Sequence, residues 1–144
     1  MNLMFLDKFR DLGILTMRAG LGLMFMFHGF PLLVAGPSEW ASLGGVMGTT
    51  FGFEFMPVVW GFLGVSILFF GGMALLIGLF TRVACILLTS TMLLEAFFAL
   101  SEGEGLRGAS YGLQMAIVFF ALVLIGPGRL SIDARETARS PRPA

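Results

Sequence analysis

The sequence predicts an all-α membrane protein, a bundle of four transmembrane helices. Hydrophobic residues make up 57% of the 144 positions and charged residues 12%, whereas soluble domains average about 45–50% apolar and 25% charged residues. Four apolar runs reach or approach the ~20 residues that a helix needs to cross a bilayer. Segments rich in glycine, proline or charge separate these runs, so each run is predicted to be one span.

The first predicted element is a short helix that lies in the membrane interface. Within residues 1–12, apolar side chains fall on one side of a helical wheel and charged side chains interleave with them, as in interfacial amphipathic helices. The first span follows over residues 13–35. It ends at Gly36-Pro37, a pair that breaks helices.

The link to the second span is too rich in glycine and polar residues to cross the membrane itself. Ser38 is predicted to cap a short surface helix that ends at Leu43. Pro57 fits the first turn of the second span, because the missing N–H has no intrahelical partner at that position.

The second and third spans form a tight hairpin, since only Thr81-Arg82 separates them. A polar loop precedes the fourth span, which Gly126-Pro127-Gly128 terminates. These last three spans are predicted over residues 58–80, 83–100 and 109–125. Residues 1–133 are therefore predicted to form one membrane domain, and residues 134–144 a polar, arginine-rich tail that is flexible.

The distribution of charge predicts the orientation. Eight of the nine lysine and arginine residues lie at the N-terminus, in the hairpin between spans two and three, or after span four, and only Arg107 lies on the opposite side. By the positive-inside rule, both termini are predicted to be cytoplasmic. Four glutamates lie in the segments on the other side of the membrane.

Composition excludes several function classes. The formal net charge is zero, so bulk charge gives no reason to expect nucleic-acid binding. The single cysteine excludes an intrachain disulfide and a cysteine-ligated metal or iron–sulfur site made by this chain alone. The single histidine excludes bis-histidine haem ligation within the chain. We therefore expect that this chain alone binds no metal and no cofactor. We also expect membrane lipids to surround it.

His28 and Glu95 are the candidate chemical site. They are the only imidazole and the only carboxylate within the predicted spans, and a rise of 1.5 Å per residue places both in the outer half of the membrane. Ionisable side chains are costly in a bilayer and usually face one another or a wet cavity. A purely structural His–Glu hydrogen bond is one interpretation. Proton transfer to a reducible ligand such as a quinone is another, and absence of contact is the third.

A second charged group is predicted at the cytoplasmic rim. Arg18 and Arg82 begin spans one and three at nearly the same level, and Arg129 and Asp133 reach that level after span four. The arginines can extend to lipid phosphates. Alternatively, Arg18, Arg82 and Asp133 form a network that locks the helix ends, or Arg18 and Arg82 attract an anion.

Three motifs together resemble the DoxX family of small four-helix bacterial and archaeal membrane proteins, over about Leu12 to Asp133. They are Arg18-x3-Gly22-x5-His28-Gly29, then Gly71-Gly72 followed by Gly78-Leu79-x-Thr81-Arg82, and last Gly126-x-Gly128-Arg129-Leu130-Ser131-x-Asp133. Two charges common in the family are missing, a lysine shortly after the His-Gly pair and an acidic residue before the Gly-Gly pair.

The resemblance implies a role linked to redox chemistry in the prokaryotic inner, or plasma, membrane. The family name comes from a subunit of a terminal oxidase and thiosulfate:quinone oxidoreductase. We therefore expect a non-catalytic accessory subunit that contacts other subunits of an electron-transfer or respiratory complex. The alternatives are a quinone-reactive oxidoreductase subunit, in which His28 and Glu95 handle protons, and a small-molecule transporter.

Overall fold

The computed structural model describes residues 9–52 and 56–134, and for residues 46–51 it describes the backbone only. The helices in chain order are α1 (Arg10–Ala35), α2 (Pro37–Phe51), α3 (Pro57–Ile77), α4 (Thr81–Ser101) and α5 (Gly105–Ile125). Helices α1, α3, α4 and α5 are long and apolar enough to cross a membrane. The predicted all-α, four-helix membrane fold is confirmed.

Helix boundaries differ from the predicted spans at several ends. Residues 1–8 of the expected interfacial helix lie outside the described residues, and Arg10 already belongs to the first turn of α1. Helix α5 begins at Gly105 rather than at residue 109, because the polar residues before the apolar run continue the helix. Residues 135–144 of the expected tail also lie outside the described residues.

Helix α2 is longer than the sequence predicts. The expected surface helix ends at Leu43, whereas α2 continues to Phe51. Gly44 has low helix propensity, but here it is a contact point. A Cβ built on Gly44 would overlap the carbonyl oxygen of Pro57, and one built on Gly61 would overlap that of Trp40. The backbones of α2 and α3 therefore touch, and this packing stabilises the helix beyond its intrinsic propensity.

The four spans pack as two close antiparallel pairs. In the α1–α3 pair, a Cβ on Gly22 would lie 2.6 Å from the Gly72 carbonyl oxygen. In the α4–α5 pair, a Cβ on Gly112 would lie 2.7 Å from the Met92 carbonyl oxygen and 3.0 Å from the Ala96 nitrogen. Small residues allow such approaches within membranes.

Larger side chains fill the space between the two pairs. Phe25 of α1 meets Phe119 of α5 edge-on, with ring centroids 4.9 Å apart. The buried core cluster consists of Phe25, Leu68, Leu75, Cys85, Leu88, Met92, Ala116, Phe119 and Leu122. We call the end of the bundle where α1 begins and α5 ends the terminal end, and the opposite end the α2 end.

Candidate functional site

Arg18 is the largest fully buried side chain of the described residues, with 0% of its surface exposed. Its Nε donates a hydrogen bond to the carbonyl oxygen of Leu75 at 3.2 Å, and Nη1 donates to the carbonyl oxygen of Pro127. Nη2 is buried without a hydrogen-bond partner among the described residues. One guanidinium thus joins α1 to the end of α3 and to the segment after α5.

Asp133 connects the same segment to the α3–α4 hairpin. Its carboxylate accepts hydrogen bonds from the backbone nitrogens of Phe80 at 2.7 Å and Thr81 at 2.8 Å. Its own backbone nitrogen donates to the carbonyl oxygen of Gly78 at 3.1 Å. Arg18 and Asp133 also attract one another electrostatically. Of the predicted rim residues, these two are the ones that the structure brings together inside the protein.

Gly78 makes room for the buried guanidinium. It ends α3 with φ +79°, in the left-handed region that glycine adopts without steric cost. A Cβ at this position would overlap Nη2 of Arg18. Sequence reasoning identified Gly78 only as part of a motif. The structure shows two requirements at this position. The backbone has a positive φ, and Arg18 leaves no room for a side chain.

Arg82 and Arg129 remain at the surface of the terminal end. Both are exposed, and the backbone nitrogen of Arg129 donates to Asp11 at 3.2 Å. Arg18 and Arg82 were the two arginines expected to bind an anion or a lipid phosphate. Arg18 is fully buried, whereas Arg82 is exposed and has its side chain at the surface. The main-chain partners of Arg18, by contrast, carry no side-chain signal that a sequence pattern could detect.

His28 and Glu95 line one cavity at the α2 end of the bundle, with a volume of about 320 Å³. His28 comes from α1 and Glu95 from α4, so the two face the cavity from different helix pairs. They interact electrostatically, but no hydrogen bond joins them in the described part of the chain. Both residues are exposed, and both border the same space of about 320 Å³.

Apolar side chains and glycine form most of the remaining wall. Gly64 leaves space on the α3 side, since nothing lies within 4 Å of a Cβ built on it, while Leu43 of α2 and Trp60 of α3 also line the cavity. Thr91 also faces the cavity, and its hydroxyl donates to the Leu87 carbonyl oxygen at 3.0 Å. Apolar walls with a few polar groups are typical of sites for small organic ligands.

Helix α2 is held against α1 and α3 next to the cavity. Trp40 of α2 donates a hydrogen bond from Nε1 to the carbonyl oxygen of Leu32 at 2.9 Å, which ties α2 to the end of α1. The ring of Trp40 also packs against Phe62, with centroids 4.8 Å apart. In the sequence, Trp40 is followed by several small residues, and this combination could have indicated that α2 docks closely against another helix.

The donor set at the cavity suits proton exchange and hydrogen bonding. Imidazole and carboxyl groups can each donate or accept, depending on protonation. Among the described residues, no group of three or more histidine, cysteine, aspartate or glutamate side chains could hold a metal ion.

Comparison with known proteins identifies the family. The DoxX family model matches residues 13–101, which include α1 to α4 almost entirely. The chain belongs to the DoxX family. This DoxX protein is also 31% identical over 133 residues to the inner membrane protein YqjF of Escherichia coli strain K12, an alignment that covers 89% of the chain and 95% of YqjF. No solved structure matches it.

The segment matched by the family model contains both cavity residues, but only part of the group around Arg18 at the terminal end. Residues 13–101 contain Arg18, His28, Glu95 and Gly78, whereas Asp133 lies beyond the matched segment. The longer alignment with YqjF shows that the similarity is not confined to the first four helices. The chain is a multi-pass membrane protein of this family.

Proposed function

We propose that this DoxX protein binds the headgroup of a quinone in the cavity between His28 and Glu95, as a subunit of a larger membrane electron-transfer complex. The observation that carries the proposal is the placement of the two ionisable side chains on opposite helix pairs around one mainly apolar cavity. Ionisable residues within membrane spans commonly mark functional sites.

The size and lining of the cavity support a single-ring ligand. Small-molecule sites typically enclose about 300–1,000 Å³, so a volume of about 320 Å³ suits one substituted ring rather than a large cofactor. Leu68 and Phe98 provide apolar contact for the ring. His28 and Glu95 can each form a hydrogen bond to a ring oxygen.

The chemistry divides between this chain and a partner. Reduction of a quinone to its hydroquinone consumes two electrons and two protons. His28 and Glu95 can supply protons to the two oxygens, but imidazole and carboxyl groups do not carry electrons. The electrons would come from a redox cofactor on another subunit. Proton handling by this chain and its role as an accessory subunit are thus parts of the same proposal.

The proposal also includes the membrane in which the protein lies and its orientation there. We place the protein in the inner membrane, because the name of its Escherichia coli relative describes an inner membrane protein. Arg10, Arg18, Arg82 and Arg129 at the terminal end support cytoplasmic termini by the positive-inside rule. The cavity then opens in the half of the membrane away from the cytoplasm.

The binding test uses tryptophan fluorescence. Trp60 lines the cavity, so ubiquinone-1 bound there should quench its emission. We expect saturable quenching for the protein in lipid nanodiscs, on top of the linear quenching caused by quinone dissolved in the bilayer. The double substitution His28→Gln with Glu95→Gln should weaken the saturable component about tenfold or more, since it alters both hydrogen-bonding groups.

The matched control for Glu95→Gln is Glu102→Gln, which changes an exposed carboxylate at the end of the same helix. This control should bind ubiquinone-1 like the wild type. Purely linear quenching of the wild-type protein would exclude the quinone site. The subunit role is tested separately: mild-detergent extraction of the tagged protein should recover a partner that carries a redox cofactor, and recovery of the chain alone would oppose that role.

A further inference from the structure

The close crossing of α4 and α5 fixes the position of the chain's single tyrosine. At Gly112 the backbone of α5 touches that of α4, since a Cβ there would lie 3.0 Å from the Ala96 nitrogen and 3.1 Å from the Ala96 Cβ. Ala96 and Gly112 are therefore the facing positions of the pair. Tyr111 and Glu95 are the residues that immediately precede them.

Antiparallel helices present the preceding residues on the same side of their crossing. Because α4 and α5 run in opposite directions, one step back along the chain from Ala96 and from Gly112 turns to the same side of the contact. Glu95 lines the cavity. Tyr111 thus lies on α5 on the same side of the contact as Glu95, close enough to its carboxyl group to interact with it electrostatically.

The hydroxyl group of Tyr111 is available to a ligand. It has no hydrogen-bond partner within the described part of the chain, and the side chain is 46% exposed. Tyrosines near helix ends often belong to an interfacial belt, and Tyr111 lies six residues, about 9 Å, from the start of α5. A belt position, however, does not require the tyrosine to face an ionisable side chain at the same depth.

We propose that Tyr111 adds a polar group next to Glu95 at the α5 side of the cavity, and that its hydroxyl group donates a hydrogen bond to an oxygen of the bound quinone ring. This inference rests on the proposed quinone site and adds a residue from α5 to it. Polar groups of α1, α4 and α5 then lie around the ring. Tyr111 holds the ring in place and takes no part in proton transfer.

The test compares two ligands in the nanodisc fluorescence assay. Tyr111→Phe removes only the hydroxyl group, and it should weaken ubiquinone-1 binding about three- to tenfold, as expected for one lost hydrogen bond. Binding of an alkylbenzene with the same tail but no ring oxygens should stay within twofold. The control Ser110→Ala removes a hydroxyl group that donates to the Arg107 carbonyl oxygen of the same helix, and it should change neither affinity.

The outcomes separate this inference from the proposed function. Saturable binding by the wild type with unchanged affinity in Tyr111→Phe overturns the role of Tyr111 and leaves the quinone site intact. Absence of saturable binding by the wild type overturns both. Equal weakening for both ligands would show that the substitution acts on the fold, which also overturns the proposed hydrogen bond.

A second measurement needs no substitution. Because the chain contains one tyrosine, incorporation of 3-fluorotyrosine gives a single fluorine NMR signal, that of residue 111. Ubiquinone-1 should shift this signal in a saturable manner with the affinity found by fluorescence, while the alkylbenzene should cause a much smaller shift. An unshifted signal at saturating ubiquinone-1 would overturn the inference even if the Phe variant failed to fold.

Discussion

The carboxylate of Asp133 accepts a hydrogen bond from the backbone nitrogen of Thr81, which lies 52 residues earlier in the chain. Thr81 is the first residue of α4, and Phe80, its N-cap residue, makes no side-chain capping bond of its own. The first N–H groups of a helix lack intrahelical partners, and a carboxylate there also interacts favourably with the helix dipole. The segment after α5 thus supplies the cap of α4.

Replacing Asp133 with alanine should therefore destabilise the bundle. Loss of the two capping bonds from Phe80 and Thr81 is expected to lower the free energy of unfolding by about 1–3 kcal/mol. Denaturation titrations in mixed micelles measure this change. Glu102→Gln, at an exposed helix end, is the control and should stay within about 0.5 kcal/mol of the wild type. Equal stability of the two variants would contradict the capping role.

Arg18 should not tolerate replacement by lysine, although the charge is kept. A lysine ammonium group cannot reproduce the planar fork that binds the Leu75 and Pro127 carbonyl oxygens together. We expect Arg18→Lys to lower the free energy of unfolding by about 1–3 kcal/mol. The matched variant Arg82→Lys changes an exposed arginine and should be nearly neutral. A neutral Arg18→Lys would mean that the guanidinium bonds contribute little.

Gly78→Ala tests the space beside Arg18. The new methyl group would overlap Nη2, and alanine would have to adopt φ +79°. We expect a loss of at least about 2 kcal/mol in the free energy of unfolding. In Gly20→Ala nothing lies within 4 Å of the added methyl group, and helix propensity predicts a gain of up to about 1 kcal/mol. The two alanine variants should therefore shift the unfolding midpoint in opposite directions.

Neighbouring glycines of α2 provide a sharp test of its docking. A methyl group on Gly44 would overlap the Pro57 carbonyl oxygen, whereas nothing lies within 4 Å of one on Gly45. Gly44→Ala should displace α2 from α3 and increase amide hydrogen exchange in α2 about tenfold or more, a change of about 1.4 kcal/mol in local stability. Gly45→Ala should leave the exchange rates near those of the wild type. Similar rates in both variants would contradict the close α2–α3 contact.

Much of the architecture could be predicted because membrane spans are dominated by composition. The four apolar runs and their separators determine the number and order of the spanning helices. The full length of α2 could not be predicted in this way. Gly44 and Gly45 have low helix propensity. The contact with Gly61 that compensates for it joins two different helices, and no local sequence pattern indicates such a contact.

The candidate site was predictable to the level of depth along the membrane. Counting residues from the helix ends places His28 and Glu95 at a similar height, and both line one cavity. Whether they touch depends on how far apart the helix pairs stand, which the sequence does not encode locally. The partners of Arg18 are main-chain carbonyl groups, and every residue has one, so no residue type distinguishes Leu75 or Pro127.

The hydrogen bonds between the two helix pairs are not spread evenly along the bundle. In the described part of the chain, the hydrogen bonds that bridge them lie at the terminal end: Arg18 to Pro127, Arg129 to Asp11, and Asp133 to Gly78. Further along, side chains of the two pairs pack against one another, as Phe25 and Phe119 do. The bundle therefore has a stiff end and a compliant end, and the cavity lies at the compliant one. Separation of the pairs at the cavity, with the terminal end as the pivot, would leave these three hydrogen bonds in place.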